Sequence, residues 1–149
     1  MRAVFDANVY ISQLLSRRPA TSAVTLLLKA AATESFTLLF SPLIGAEVSD
    51  TIATRPDLVL RAGTSAISDL MQIAEEVAEV MMPPIAGPLP EIGRDRKDDY
   101  LIAHAVVAGA DFLVSWDKDL LDLGQVEHVR IVTPGEMVRI LREQGVIQE

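Results

Sequence analysis

Apolar residues along this chain fall into short dense runs separated by longer stretches where they recur every three or four positions, a mixture that predicts strands alternating with helices. Ala3 to Phe5 leads into Asp6, and Val9 to Leu15 is apolar again, which reads as a buried strand, a turn and a helix start. Ser22 to Ala32 (SAVTLLLKAAA) is helical in period, whereas Phe36 to Phe40 (FTLLF) is short and aromatic-rich, as a strand is. Ser41-Pro42 then signals a helix, serine as N-cap and proline at the first helical position, with Glu47 on the second turn. From Thr64 to Val77 the apolar positions Ile67, Leu70, Met71, Ala74 and Val77 alternate with acids as on an amphipathic helix. Val80 to Met82 reads as a short strand. Pro83 to Gly93 (PPIAGPLPEIG) reads as a surface loop, too short to link two domains.

The second half repeats the alternation. Asp98 to Ala108 is a helix closed by Gly109, and Asp111 to Trp116 is a strand followed by an acidic turn at Asp117 and Asp119. Val129 to Val132 is a strand, Thr133 to Glu136 is a capping box with proline at its first helical position, and a last helix reaches about Gln144. Strands this apolar have no solvated face. They predict one α/β domain over residues 1–149, with a central parallel sheet of about five strands covered by helices on both sides.

Composition narrows the possibilities. The 149 residues are half apolar, enough for one core, and contain no cysteine, which rules out disulfides and thiolate zinc sites and favours a reducing, cytoplasmic setting. Asp6 interrupts the first apolar run, which a secretory leader would not allow, and no stretch is long enough for a membrane span. A net charge of −8 argues against a general nucleic-acid coat protein, although carboxylates converging on one cation would reverse the field locally.

Ligands of open parallel sheets bind beyond the carboxyl ends of the strands, and Asp6 and Asp117 both follow strands directly. Glu47 and Asp98, near helix starts, are placed to reach the same edge. Converging carboxylates oppose one another's ionisation unless a cation offsets the repulsion. Oxygen ligands without cysteine, and with only two histidines, suit Mg²⁺ or Mn²⁺ better than zinc. Such a site activates water for in-line attack on a phosphodiester.

Each candidate has a plainer alternative. Asp6 could simply end a strand, though Val4-Phe5 and Val9-Tyr10-Ile11 place it poorly for the surface. Glu47 alone reads as a solvated helix residue, and Asp95 and Asp98 as a cap and its first-turn companion. Asp117 and Asp119 could cap a turn, and His104 and His128 read as packed or exposed residues rather than ligands. Arg94, Arg96 and Lys97 either contact phosphates or solvate the loop.

Four segments in order carry a resemblance: Val4-Phe5-Asp6-Ala7-Asn8-Val9-Tyr10-Ile11-Ser12; Ser41-Pro42 followed by Glu47; Arg94-Asp95-Arg96-Lys97-Asp98-Asp99; and the run from Ala108 to Leu121 that contains Ser115-Trp116-Asp117. Together they resemble the PIN-domain nucleases over nearly the whole chain, specifically the PIN toxin components of prokaryotic toxin-antitoxin systems. The resemblance implies a three-layer α/β/α PIN-like fold and metal-dependent endonuclease activity on single-stranded RNA. It implies Asp6, Glu47, Asp98 or its neighbour Asp99, and Asp117 as the acids, with Asp98 preferred on spacing, and Asn8 and Ser115 in support. It also implies a small antitoxin partner that occupies the cleft, and a homodimer as a common assembly. Two positions depart from the pattern: Arg96 stands where proline is frequent, and Trp116 where the family has a small or polar residue, so that its indole narrows the cleft or stacks a base.

Rival readings fit less well. A haloacid-dehalogenase-type phosphatase needs a second aspartate where Asn8 stands, and a Rossmann nucleotide binder needs glycines that residues 6–12 lack. A PIN-fold protein without activity, serving as an RNA-binding or protein-interaction module, is the remaining alternative; the presence of all four acids argues against it.

Overall fold

In the computed structural model the chain is described over residues 1–78, 80–81 and 96–147, with residues 20, 64, 80–81 and 96–98 described by backbone alone. The elements in chain order are β1 (Arg2–Phe5), α1 (Ala7–Leu15), a 3₁₀ turn (Pro19–Thr21), α2 (Ala23–Ala32), β2 (Thr37–Phe40), α3 (Pro42–Thr54), α4 (Pro56–Ala62) and α5 (Thr64–Val77). There follow β3 (Val80–Met81), α6 (Arg96–Val107), β4 (Phe112–Val114), α7 (Lys118–Leu123), β5 (Gln125–Val126), β6 (Val129–Val132) and α8 (Pro134–Glu143).

The sheet has the order β3-β2-β1-β4-β6-β5, with every neighbouring pair parallel except β5 and β6. The five expected strands form the parallel part. A sixth, antiparallel strand of two residues joins the edge; its turn passes through Glu127 at φ 53°, and without glycine or asparagine there the sequence carries no hairpin signal. The loop expected over Pro83 to Gly93 lies outside the described residues.

Local signals act as the sequence suggests. Ser22 and Ser41 cap α2 and α3 by accepting from Thr25 N and Leu43 N, and the Thr133–Glu136 capping box is complete at the start of α8. Gly109 terminates α6 at φ 72°, a conformation that costs a residue with a Cβ. Two helices are additional. Pro56 opens α4 as a first-turn proline behind Arg55, and the acidic turn at Asp117 proves to be the start of α7, with the Asp117 carboxylate accepting from Asp119 N at 2.9 Å.

Strands β1, β2 and β4 are almost wholly buried, as expected of a parallel sheet between two layers. Helices α1, α2 and α5 pack on one another and α2 on α8, while α6 packs on β4. Right-handed crossovers account for this division, because the chain steps from β1 to β2 to β3 in one direction and then returns past β1 to β4. Phe5, Tyr10 and Phe40 form an aromatic wedge beneath the C-terminal edge, with Tyr10 edge-on to Phe40.

Candidate active site

The reversal of strand order falls between β1 and β4, and a parallel sheet opens a crevice at that point, outside the carboxyl ends of its strands. Asp6 follows β1 immediately and Ser115 follows β4, so the two flank the crevice. Helix α3 starts at the same edge, directly after β2. Helix α6 precedes a parallel strand and must also start there and run back. Four stretches far apart in sequence thus share one edge because of the winding of the sheet.

Asp6 occupies the N-cap position of α1 but its side chain makes no cap hydrogen bond. It is 6% exposed, and its Oδ2 accepts from Ser115 Oγ at 2.8 Å. Ser115 is fully buried, and its hydroxyl accepts in turn from Asp117 N at 2.9 Å and Asn8 Nδ2 at 3.4 Å, using all its bonding capacity. Asn8 Oδ1 accepts from Trp116 N at 3.2 Å. Asn8 and Ser115 therefore lock the chain after β4 onto the first turn of α1, and Asp6 is held between them.

Burial pushes the Asp6 carboxyl up to about 6; the Ser115 hydrogen bond opposes the shift, while the charges of Glu47 and Asp117 add to it. Negative charge on Glu47 and Asp117 thus disfavours ionisation of Asp6. Glu47 also lines a groove of about 320 Å³ together with Leu43, Ile44, Asp50, Tyr100 and Leu101, which joins α3 to the first turns of α6. On α6, Asp99 is a buried carboxylate, 4% exposed, one residue before this groove.

The expected residues thus fare differently. Asp6, Asn8, Ser115 and Asp117 are brought together by hydrogen bonds, and Glu47 joins them electrostatically. Asp98 lies in the first turn of α6, but its side chain, like those of Arg96 and Lys97, is outside the described residues, as is Arg94 altogether. Trp116 is at the rim, 48% exposed, with Nε1 donating to Ser12 Oγ at 2.9 Å. Ser12 is a site residue that sequence reasoning missed, although its i+4 spacing from Asn8 puts both on one face of α1. His104 is buried against Tyr100, edge to face, in keeping with its reading as a packed residue.

The donor chemistry fits a hard cation. Every acid at this edge offers oxygen, and mutual repulsion raises the cost of leaving them ionised without a counter-charge. Among the described residues no three Asp, Glu or His side chains are grouped closely enough to hold an ion by themselves. Mg²⁺ is commonly held by one or two carboxylates and completes its shell with waters and substrate phosphate.

No curated protein and no solved structure matches the chain. A family does: the PIN domain matches residues 2–119, a span that contains Asp6, Asn8, Glu47, both acids of α6, Ser115 and Asp117. PIN domains are in general nucleases that use divalent metals. Winding, crevice and acid edge agree with that match, and the chain belongs to the PIN-domain family.

Proposed function

We propose that this PIN domain is an Mg²⁺- or Mn²⁺-dependent endoribonuclease that hydrolyses single-stranded RNA, and that it acts as the toxin of a toxin-antitoxin pair. The observation that carries the metal-dependent reading is the Asp6 carboxyl, buried beside two further acids and pushed up to about 6 first by its own desolvation and then by their charge. A bound Mg²⁺ or Mn²⁺ supplies the positive charge that activates an attacking water and stabilises charge on the phosphate. Asp6 and Asp117 hold the ion in this reading, and Ser115 fixes the orientation of Asp6. Glu47, on α3 beside the groove, takes the proton of the attacking water.

For the third metal-binding acid we propose Asp98, with its neighbour Asp99 in the same first turn of α6 as the alternative. Arg94, Arg96 and Lys97 take the phosphates of the strand.

The RNA preference, the toxin role and a small antitoxin covering the cleft follow from the sequence resemblance, as does pairing with a second copy. A cytoplasmic location agrees with them, and among the described residues no helix is long and apolar enough to cross a membrane.

The test is cleavage of a labelled single-stranded RNA by purified protein. We expect Mn²⁺ or Mg²⁺ to support cleavage, EDTA to stop it, and Asp6→Asn to lower it at least 100-fold. Equal cleavage by Asp6→Asn or in EDTA would refute the mechanism. Cleavage of none of the single strands offered, with tight RNA binding retained, would identify the inactive RNA-binding module instead. For the toxin role, induced expression in a bacterial host should slow growth, and the small protein encoded beside the gene should relieve it.

A further inference from the structure

We propose that Trp116 is a stacking platform for an unpaired nucleobase beside the scissile phosphate, held ready by Ser12, and that it gives the site its preference for single strands. The inference rests on the nuclease reading and adds to it how the strand is gripped. Trp116 is 48% exposed although it is the chain's single tryptophan, a residue type that ordinarily buries its ring. Its exposure is not looseness. The indole Nε1 donates to Ser12 Oγ at 2.9 Å, Ser12 Oγ donates to Val9 O at 2.9 Å, and Trp116 N donates to Asn8 Oδ1 at 3.2 Å.

The indole has one polar group, and Ser12 already satisfies it, so what remains for a partner is the π face. Along the chain Trp116 stands between Ser115, whose hydroxyl holds Asp6, and Asp117. A nucleobase stacked on it is held by the residue next to Asp117 and next to the serine that orients Asp6. Stacking accepts every base, since each has a π face, but the base must first be free of its own duplex.

Charge supplies a second argument. Single-strand binders usually draw affinity from a cationic groove along the backbone, and a chain of net charge −8 is poorly equipped for that. A fixed aromatic face provides affinity that owes nothing to phosphate charge. Salt should therefore weaken RNA binding less than it does for basic single-strand binders.

The lone tryptophan also reports on itself. Asp6→Asn protein, which binds without cutting, is titrated with a short single-stranded oligoribonucleotide and with a duplex of the same sequence, following indole fluorescence and, independently, anisotropy of labelled RNA. We expect the single strand to quench the fluorescence in step with binding and the duplex to leave it unchanged. In the cleaving protein, Trp116→Ala should raise KM by roughly 5- to 100-fold, with kcat changed less and the melting temperature held. Trp116→Phe should recover much of the loss and Trp116→Leu little, while Ser12→Ala should raise KM a few-fold.

Binding seen by anisotropy without quenching, or wild-type KM for Trp116→Ala in a protein that cuts normally, would overturn the platform and leave the nuclease standing. Absence of metal-dependent cleavage by the wild type would remove the nuclease reading itself. If Trp116→Ala leaves KM for RNA unchanged but abolishes binding of a small partner protein, the exposed ring is a protein-docking residue and the proposal is refuted.

Discussion

At the scale of single residues, Asp6 shows how the site opposes the stability of the fold. An aspartate whose carboxyl lies near 6 in the folded chain and near 3.8 unfolded binds protons more tightly when folded. The folded state is therefore unpenalised below pH 3.8, and stability falls as pH rises through 6, where the carboxylate must ionise among Glu47 and Asp117. The shift amounts to about 3 kcal/mol at most. Asp6→Asn removes that charge yet leaves an oxygen to accept from Ser115. In EDTA at pH 8 we expect the variant to be more stable than wild type by about 1–3 kcal/mol in urea denaturation, and the gain to shrink to about 0.5 kcal/mol at pH 4. A variant less stable than wild type at pH 8 would show that burial of the carboxylate is fully compensated without a cation.

At the scale of elements, caps explain why the boundaries came out where the sequence put them. Ser22, Ser41 and Thr133 each precede a helix and each accepts from a first-turn N–H, so the local sequence alone marks α2, α3 and α8. Helix α8 packs on α2 and carries none of the candidate acids, although its cap follows β6 at the carboxyl edge of the sheet. Thr133→Ala should therefore cost about 1 kcal/mol in denaturant melts while leaving the cleavage rate within two-fold of wild type. A loss of cleavage without loss of stability would show that α8 communicates with the site. The shortest elements were missed. Helix α7 spans only Lys118–Leu123, too few turns for periodicity to show, and β5 is a two-residue strand whose partner decides its existence.

At the scale of the whole molecule, the acids are drawn to one edge by chain topology, and in the proposed function a divalent cation relieves the charge so accumulated. An ion that binds the folded chain and not the unfolded one raises stability by mass action, about 2.7 kcal/mol at a hundred times its Kd. For a domain of this size that corresponds to roughly 5–10 °C. Millimolar Mn²⁺ at pH 8 should raise the melting temperature of wild type by several degrees and that of Asp6→Asn by much less. An equal rise in both would place the ion elsewhere on the acidic surface.

Much of this was legible in the sequence for a definite reason. Strand and helix periodicity, serine and threonine caps, and an acid directly after the first apolar run are local properties, and local physics enforces them. The order of Asp6, Glu47, the α6 acids and Asp117 was readable too, because each sits at a strand end or helix start. What local sequence does not encode is which strands become neighbours. Only the tertiary structure placed β4 beside β1, so that Ser115, 109 residues after Asp6, donates to its carboxylate, and so that Ser12 steadies the ring of Trp116. Those contacts follow from burying apolar strand faces in one sheet, and that long-range choice turned separate acids into a single edge.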